Sequence, residues 1–197
     1  MARKKISIDD IPSVELIEKE LARGKNRHSY RRTLVSTLYG LVIVAAIAVL
    51  VAVFWIPVLA ISGSSMSPLL NDGELAVVWK NADFDTGSVV AFQYNSKVLI
   101  KRIIAGPGDV VNIDPDGNVY VNRMLLNEPY VSEKALGHCN IELPFEVPEE
   151  QYFVMGDHRS VSIDSRNVSV GCISREQIIG RIIYRIWPLP AWGAIEN

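Results

Sequence analysis

The chain is poor in the residues that bind metals or cross-link a fold. It has two cysteines and three histidines in 197 residues, and none of them shares a metal-ligand spacing with neighbouring acids. No metal and no cofactor is expected. Cys139 and Cys172 have no evident catalytic role. An exported compartment would permit a disulfide, and whether the two pair depends on a Cα separation that sequence does not give. There are no internal repeats and no low-complexity linker. The most telling absence is charge. Thr33 to Asn71 carry no charged side chain, and no Lys or Arg stands between Arg32 and Lys80. Residues 60–197 hold eleven Lys/Arg against seventeen Asp/Glu, so the larger part offers no basic patch and nucleic acid is excluded as a partner.

What fills the uncharged stretch is apolar. Leu34 to Leu59 exceeds the ~20 residues needed to cross ~30 Å of hydrocarbon, with Phe54 and Trp55 at the end where aromatic rings favour the interface. Arg23, Lys25, Arg27, Arg31 and Arg32 crowd the other end, which puts the N-terminus in the cytoplasm and residues 60–197 outside. Three parts follow: a polar cytoplasmic tail over 1–33, a single transmembrane anchor helix over 34–59, and an extracytoplasmic domain over 60–197. In the tail, Ile11-Pro12-Ser13 could open a short helix with Ser13 as N-cap and Glu15, Glu18 and Glu20 after it. A rival reading takes the apolar run as a cleavable signal peptide with Val58-Leu59-Ala60 as the cut. The basic region and the apolar run are both too long for that.

Residues 60–197 read as all-β. Leu75–Trp79, Ser88–Tyr94, Val98–Ile104, Tyr152–Met155 and Ile178–Ile186 are β-rich runs between turn formers. Val110–Ile113 and Val119–Val121 flank Asp114-Pro115-Asp116-Gly117-Asn118, a strong hairpin signal. The fold class is therefore mainly β, a barrel or folded sheet behind one N-terminal helix. Residues 130–150 look like an irregular excursion from it.

Two residues carry candidate chemistry. Ser65 lies in the turn-like run Gly63-Ser64-Ser65-Met66-Ser67-Pro68. Such a serine is commonly only a turn residue, but as a nucleophile it needs a partner that takes its proton. Lys101 could be that partner. In an extended strand it shares a face with Leu99 and Ile103, and burial there would disfavour the ammonium and lower its pKa. The alternative is that Lys101 snorkels to water or pairs with an acid. A third run, Gly156 to Arg166, is dense in polar groups. Asp157, Arg159, Asp164 and Arg166 could form charge-assisted pairs, and Ser162 could hydrogen-bond a nearby amine. By spacing alone this is as easily a salt-bridged surface loop.

Together the three segments resemble the signature boxes of bacterial type I signal peptidases, over about residues 35–190. Gly63 to Leu69 matches the family's G-x-S-M-x-P-T, with Leu69 where Thr is usual. Lys101 to Asp109 matches K-R-[VI]-x-x-x-P-G-D. Gly156 to Arg166 matches G-D-N-R-x-x-S-x-D-S-R, with His158 where Asn is usual. The resemblance implies a membrane-anchored serine endopeptidase of the bacterial cell membrane that removes signal peptides from preproteins emerging from the secretion translocon, cutting after A-x-A. It implies Ser65 as nucleophile, neutral Lys101 as general base, Ser162 orienting the lysine amine, and Asp164 and Arg166 holding the loop. Met66 would help shape the substrate pocket, with Gly63, Ser64 and Pro68 forming the nucleophile turn. The Ser65 N–H would bind the oxyanion. Some relatives add a serine hydroxyl two residues before the nucleophile; Gly63 cannot. A related self-processing Ser–Lys protease, or an anchored binding module without turnover, are the alternatives.

Overall fold

A computed structural model describes residues 13–55, 57–80 and 82–195. They divide into two compact units between Val51 and Ala52. The first is dominated by one helix, α1, Val14–Trp55. It starts immediately after Ser13, as expected, but it does not stay short. The polar segment continues unbroken into the apolar one, because no proline interrupts the chain between Pro12 and Pro57 and its Leu, Ala, Lys, Arg and Glu residues favour helix. Within α1, Tyr30–Val51 has a mean hydropathy of 2.6 and none of it is buried by protein. Its 22 residues span about 33 Å at 1.5 Å per residue, long enough to cross a membrane. Ile11 and Pro12, and the side chains of Glu20, Phe54 and Trp55, lie outside the described residues.

The second unit is built from twelve strands: β1 Val58–Ala60, β2 Leu75–Trp79, β3 Val89–Tyr94, β4 Lys97–Ala105, β5 Val110–Ile113, β6 Val119–Val121, β7 Met124–Leu125, β8 Phe145–Glu146, β9 Gln151–Met155, β10 Ile173–Ser174, β11 Ile178–Trp187 and β12 Gly193–Ala194. β1 corrects the expectation that the anchor helix runs to Leu59. Pro57 has no N–H to continue a helix, and Val58, Leu59 and Ala60 instead pair with Val77, Ala76 and Leu75 of β2.

The strands form two antiparallel sheets. The larger follows the order β1-β2-β11-β3-β4-β9-β10, with β12 also on β11; the smaller is β7-β6-β5-β8. Among the described residues the larger sheet ends in β1 and β10 and is open, so of the two expected forms the folded sheet is found and not the barrel. The smaller sheet contains the expected Val110–Val121 hairpin. The expected excursion over 130–150 is irregular for most of its length, but Leu136, Ile141, Leu143 and Phe145 pack against the core of the smaller sheet.

Alternation explains the core. In β3, Val89 and Ala91 join one apolar cluster with Ile61, Met66 and Leu70, while Val90 and Phe92 join another with Ile103 and Val154. With both faces covered, β3 reads as a continuous apolar run rather than an alternating one. β4 lies beside it in a register that sets Lys101 opposite Val90 and Arg102 opposite Val89. Two cations are thereby placed in the covered middle of a sheet.

Candidate active site

The nucleophile turn is anchored from below and tied at its ends. Met66 and Leu70 are sunk in the first apolar cluster and Leu69 packs against it, which gives the leucine in place of threonine a packing role. The Leu70 N–H donates to the Met66 carbonyl at 2.9 Å, and that of Ser67 to the Ser64 carbonyl at 3.1 Å. Gly63 stands at φ 88°, a left-handed conformation that glycine adopts at low cost, and donates its N–H to Asp72 Oδ1 at 2.7 Å. Ser67 Oγ donates to Asn71 Oδ1 at 2.8 Å. Ser64 and Pro68 are exposed and Ser65 is half-buried, so the turn presents Ser65 to solvent from a fixed base.

Lys101 reaches this turn from β4. Its Nζ donates to Ser65 Oγ at 2.7 Å, and the residue is only 3 % exposed. Burial brings the Lys101 pKa down from 10.5 to about 8; Asp164 opposes the shift and Arg166 reinforces it. The expected desolvation of this lysine is therefore present, and neither snorkelling nor a salt bridge describes it.

The third segment wraps behind both residues, and its charges are paired, though not only with one another. Asp164 takes a bidentate bond from Arg166, at 2.9 Å to Oδ1 and 2.8 Å to Oδ2. Burial would raise the Asp164 carboxyl, but Arg166 and the Gly156 N–H hold it below its ordinary value. Arg166 also donates to the Leu136 and Arg159 carbonyls at 2.8 and 2.9 Å. Asp157 pairs with Arg102 of β4, at 2.9 and 2.7 Å, and Arg159 pairs with Glu128. All six side chains in these pairs are fully buried, so the run is not a surface loop. A buried ion pair contributes modestly to net stability, but leaving either member unpaired is costly. The network therefore locks the loop's geometry.

Arg102, Glu128 and Tyr130 were not expected in this role. The Tyr130 ring lies 3.8 Å from the Arg102 guanidinium carbon, and its hydroxyl donates to Glu128 Oε1 at 3.2 Å. Burial, with Glu128 beside it, raises the Tyr130 pKa. Arg102 was visible as the residue after Lys101. Nothing local marks Glu128 or Tyr130, which come from the irregular segment after β7.

Gly156 is the pivot. Its N–H donates to Asp164 Oδ2 at 3.0 Å, and Arg159 Nε donates to its carbonyl at 3.2 Å. A methyl group at Gly156 would meet Ser162 Oγ and the Ser65 carbonyl at under 3.0 Å, so only glycine fits. Ser162 departs from its implied role. Its buried Oγ makes no hydrogen bond to Lys101 Nζ and instead lies on the Asp164 side, where it helps hold that carboxyl down. Its hydroxyl packs against Gly156, and the amine is instead directed by Ser65. Cys139 and Cys172 are both free, and burial pushes the Cys172 thiol up to about 11. No group of His, Cys, Asp and Glu among the described residues could hold a metal ion.

The family description "Signal peptidase, peptidase S26" matches residues 34–187. The chain belongs to the signal peptidase family. It is 33% identical over 171 residues to signal peptidase I of Bacillus licheniformis, covering 80% of this chain and 91% of that one. It is 31% identical over 179 residues to signal peptidase IB of Staphylococcus aureus, covering 80% and 92%. A crystal structure of a signal peptidase I from Enterococcus faecalis superposes with a TM-score of 0.42 at 27% identity, over 51% of this chain and 97% of that one. The chain is thus a serine endopeptidase of the signal peptidase type. All three sequence boxes fall within the matched residues and converge on one site.

Proposed function

We propose that this chain is a membrane-anchored endopeptidase that removes N-terminal signal peptides from exported preproteins by a Ser65–Lys101 dyad. The observation that carries the reading is the 2.7 Å bond between Ser65 Oγ and a buried Lys101 Nζ. With its pKa near 8, Lys101 is neutral often enough near physiological pH to act as a base. Ser65 Oγ attacks the scissile carbonyl as Lys101 takes its proton. The tetrahedral oxyanion is bound by the Ser65 N–H, which donates to nothing among the described residues and is free for it. Lys101 then passes the proton to the leaving amine, and a water repeats the cycle on the acyl-enzyme.

The substrate lies extended. β9 pairs with β4 only at Arg102, Ile103 and Ala105, so Val98 to Lys101 keep one unpaired edge, and β1 is the last strand of the sheet. Between them is a cleft of about 100 Å³ lined by Leu59, Ile61, Met66, Leu99 and Ile100 beside Ser65 and Lys101. A peptide adds there as a strand. Its alternate side chains face the cleft, whose size suits alanine better than a large residue, hence A-x-A. The anchor is uncleaved, since a cut after Ala60 would remove β1 together with its pairing to β2. The basic N-terminal side is cytoplasmic and the catalytic domain extracytoplasmic.

The test is cleavage of a preprotein ending its signal in Ala-x-Ala by the purified full chain in detergent micelles. Ser65→Ala should abolish processing, and residual turnover by that variant would refute the assignment.

A further inference from the structure

His158 meets the nucleophile turn through both its backbone and its ring. Its backbone N–H donates to the Ser65 carbonyl at 3.1 Å. Its ring Nδ1 lies 3.3 Å from the Ser64 carbonyl. That oxygen has no proton to give, so Nδ1 carries the hydrogen. The Ser64 carbonyl and the Ser65 N–H belong to one peptide unit, and the N–H is the group that faces the oxyanion. The carbonyl end of this unit already accepts the Ser67 N–H at 3.1 Å, and the His158 ring adds a second donor.

We infer that the His158 ring is a positioning residue that aims and polarises the Ser64–Ser65 peptide, strengthening its N–H as the oxyanion donor. The inference rests on the Ser65–Lys101 reading and adds a residue to it. Two physical effects support it. Hydrogen bonds accepted at one end of an amide strengthen donation at the other. A donor held in advance at the position where charge develops acts on the transition state rather than on substrate binding. The need is greater here because Gly63 offers no hydroxyl as a second donor. The ring is half-buried at the edge of the buried ion-pair network, with Asp157 and Arg159 on either side fixing its backbone. It takes no proton from Ser65, because Lys101 already holds that position.

The side chain can be tested separately from the backbone, since any replacement but proline keeps the N–H bond to Ser65. In the full chain in micelles, cleaving an Ala-x-Ala peptide, His158→Phe should lower kcat roughly two- to twelvefold, the value of one neutral hydrogen bond. KM should be unchanged. The pH midpoint of kcat should also be unchanged, because the lysine is untouched. His158→Asn, which retains a short N–H donor, should recover most of the loss. Wild-type kcat in His158→Phe would overturn the inference. So would a loss confined to KM, a shifted pH midpoint, or the same deficit in His158→Asn. The dyad itself is tested separately, by the loss of activity expected in Ser65→Ala.

Discussion

Replacing Lys101 by methionine should inactivate the enzyme and stabilise the fold. Lys101 is buried with its pKa brought from 10.5 to about 8. A difference of about 2.5 units at 1.36 kcal/mol each corresponds to about 3 kcal/mol of destabilisation in the charged state. The sign follows from proton counting. Between pH 8 and 10.5 the unfolded chain binds the proton and the folded chain does not, so stability rises with pH across that window. Below pH 8 both states are charged and the full penalty is present; above 10.5 both are neutral and it is gone. Methionine is similar in length and apolar. It gives up the bond to Ser65 Oγ, which offsets about 1 kcal/mol of the gain. At pH 6, Lys101→Met should therefore gain about 2 kcal/mol, a melting temperature roughly 4–8 °C higher for a chain of this size. Thermal unfolding of the full chain in a neutral detergent, followed by tryptophan fluorescence at pH 6 and again at pH 10.5, measures this directly. The gain should be lost at the higher pH. An equal difference at both values, or a variant less stable than wild type at pH 6, would refute the claim that burial disfavours the lysine's charged form and lowers its pKa.

The pH dependence of turnover should follow the same group. kcat should rise between pH 6 and 10 with a single midpoint near 8; a midpoint near that of a free lysine would show that the base is solvated. The ion pairs behind the site make a separate expectation. Arg102→Met strands the buried Asp157 carboxylate and should cost about 3–5 kcal/mol, while adding Asp157→Leu should recover most of it. Chemical denaturation of wild type, both single variants and the double tests this, and a double as unstable as Arg102→Met alone would count against an electrostatic cause.

Strand positions were largely legible because their signals are local. Val89 to Tyr94 is β-branched and aromatic, and Asp114 to Asn118 is a turn by composition. Pro57 ended the helix earlier than hydropathy suggested, since apolar residues serve equally in a membrane and in an edge strand such as β1. The tail's helical continuity has a related cause: a polar sequence without proline extends, even across Gly24, when a long helix follows it.

Taken alone, the sequence determined the uncharged apolar span, the basic side of it, the strand-rich remainder and the identities of Ser65 and Lys101. These depend on composition and on residues within a few positions of one another. Only the tertiary structure decided that Ser65 and Lys101 meet, that Asp157 pairs with Arg102 and Arg159 with Glu128, that Ser162 packs on Gly156 without bonding the amine, and that His158 grips the nucleophile turn. Each of those joins segments brought together by sheet register and loop packing. A lysine loses its proton readily only when the surrounding protein excludes water, and that exclusion is a property of the assembled core.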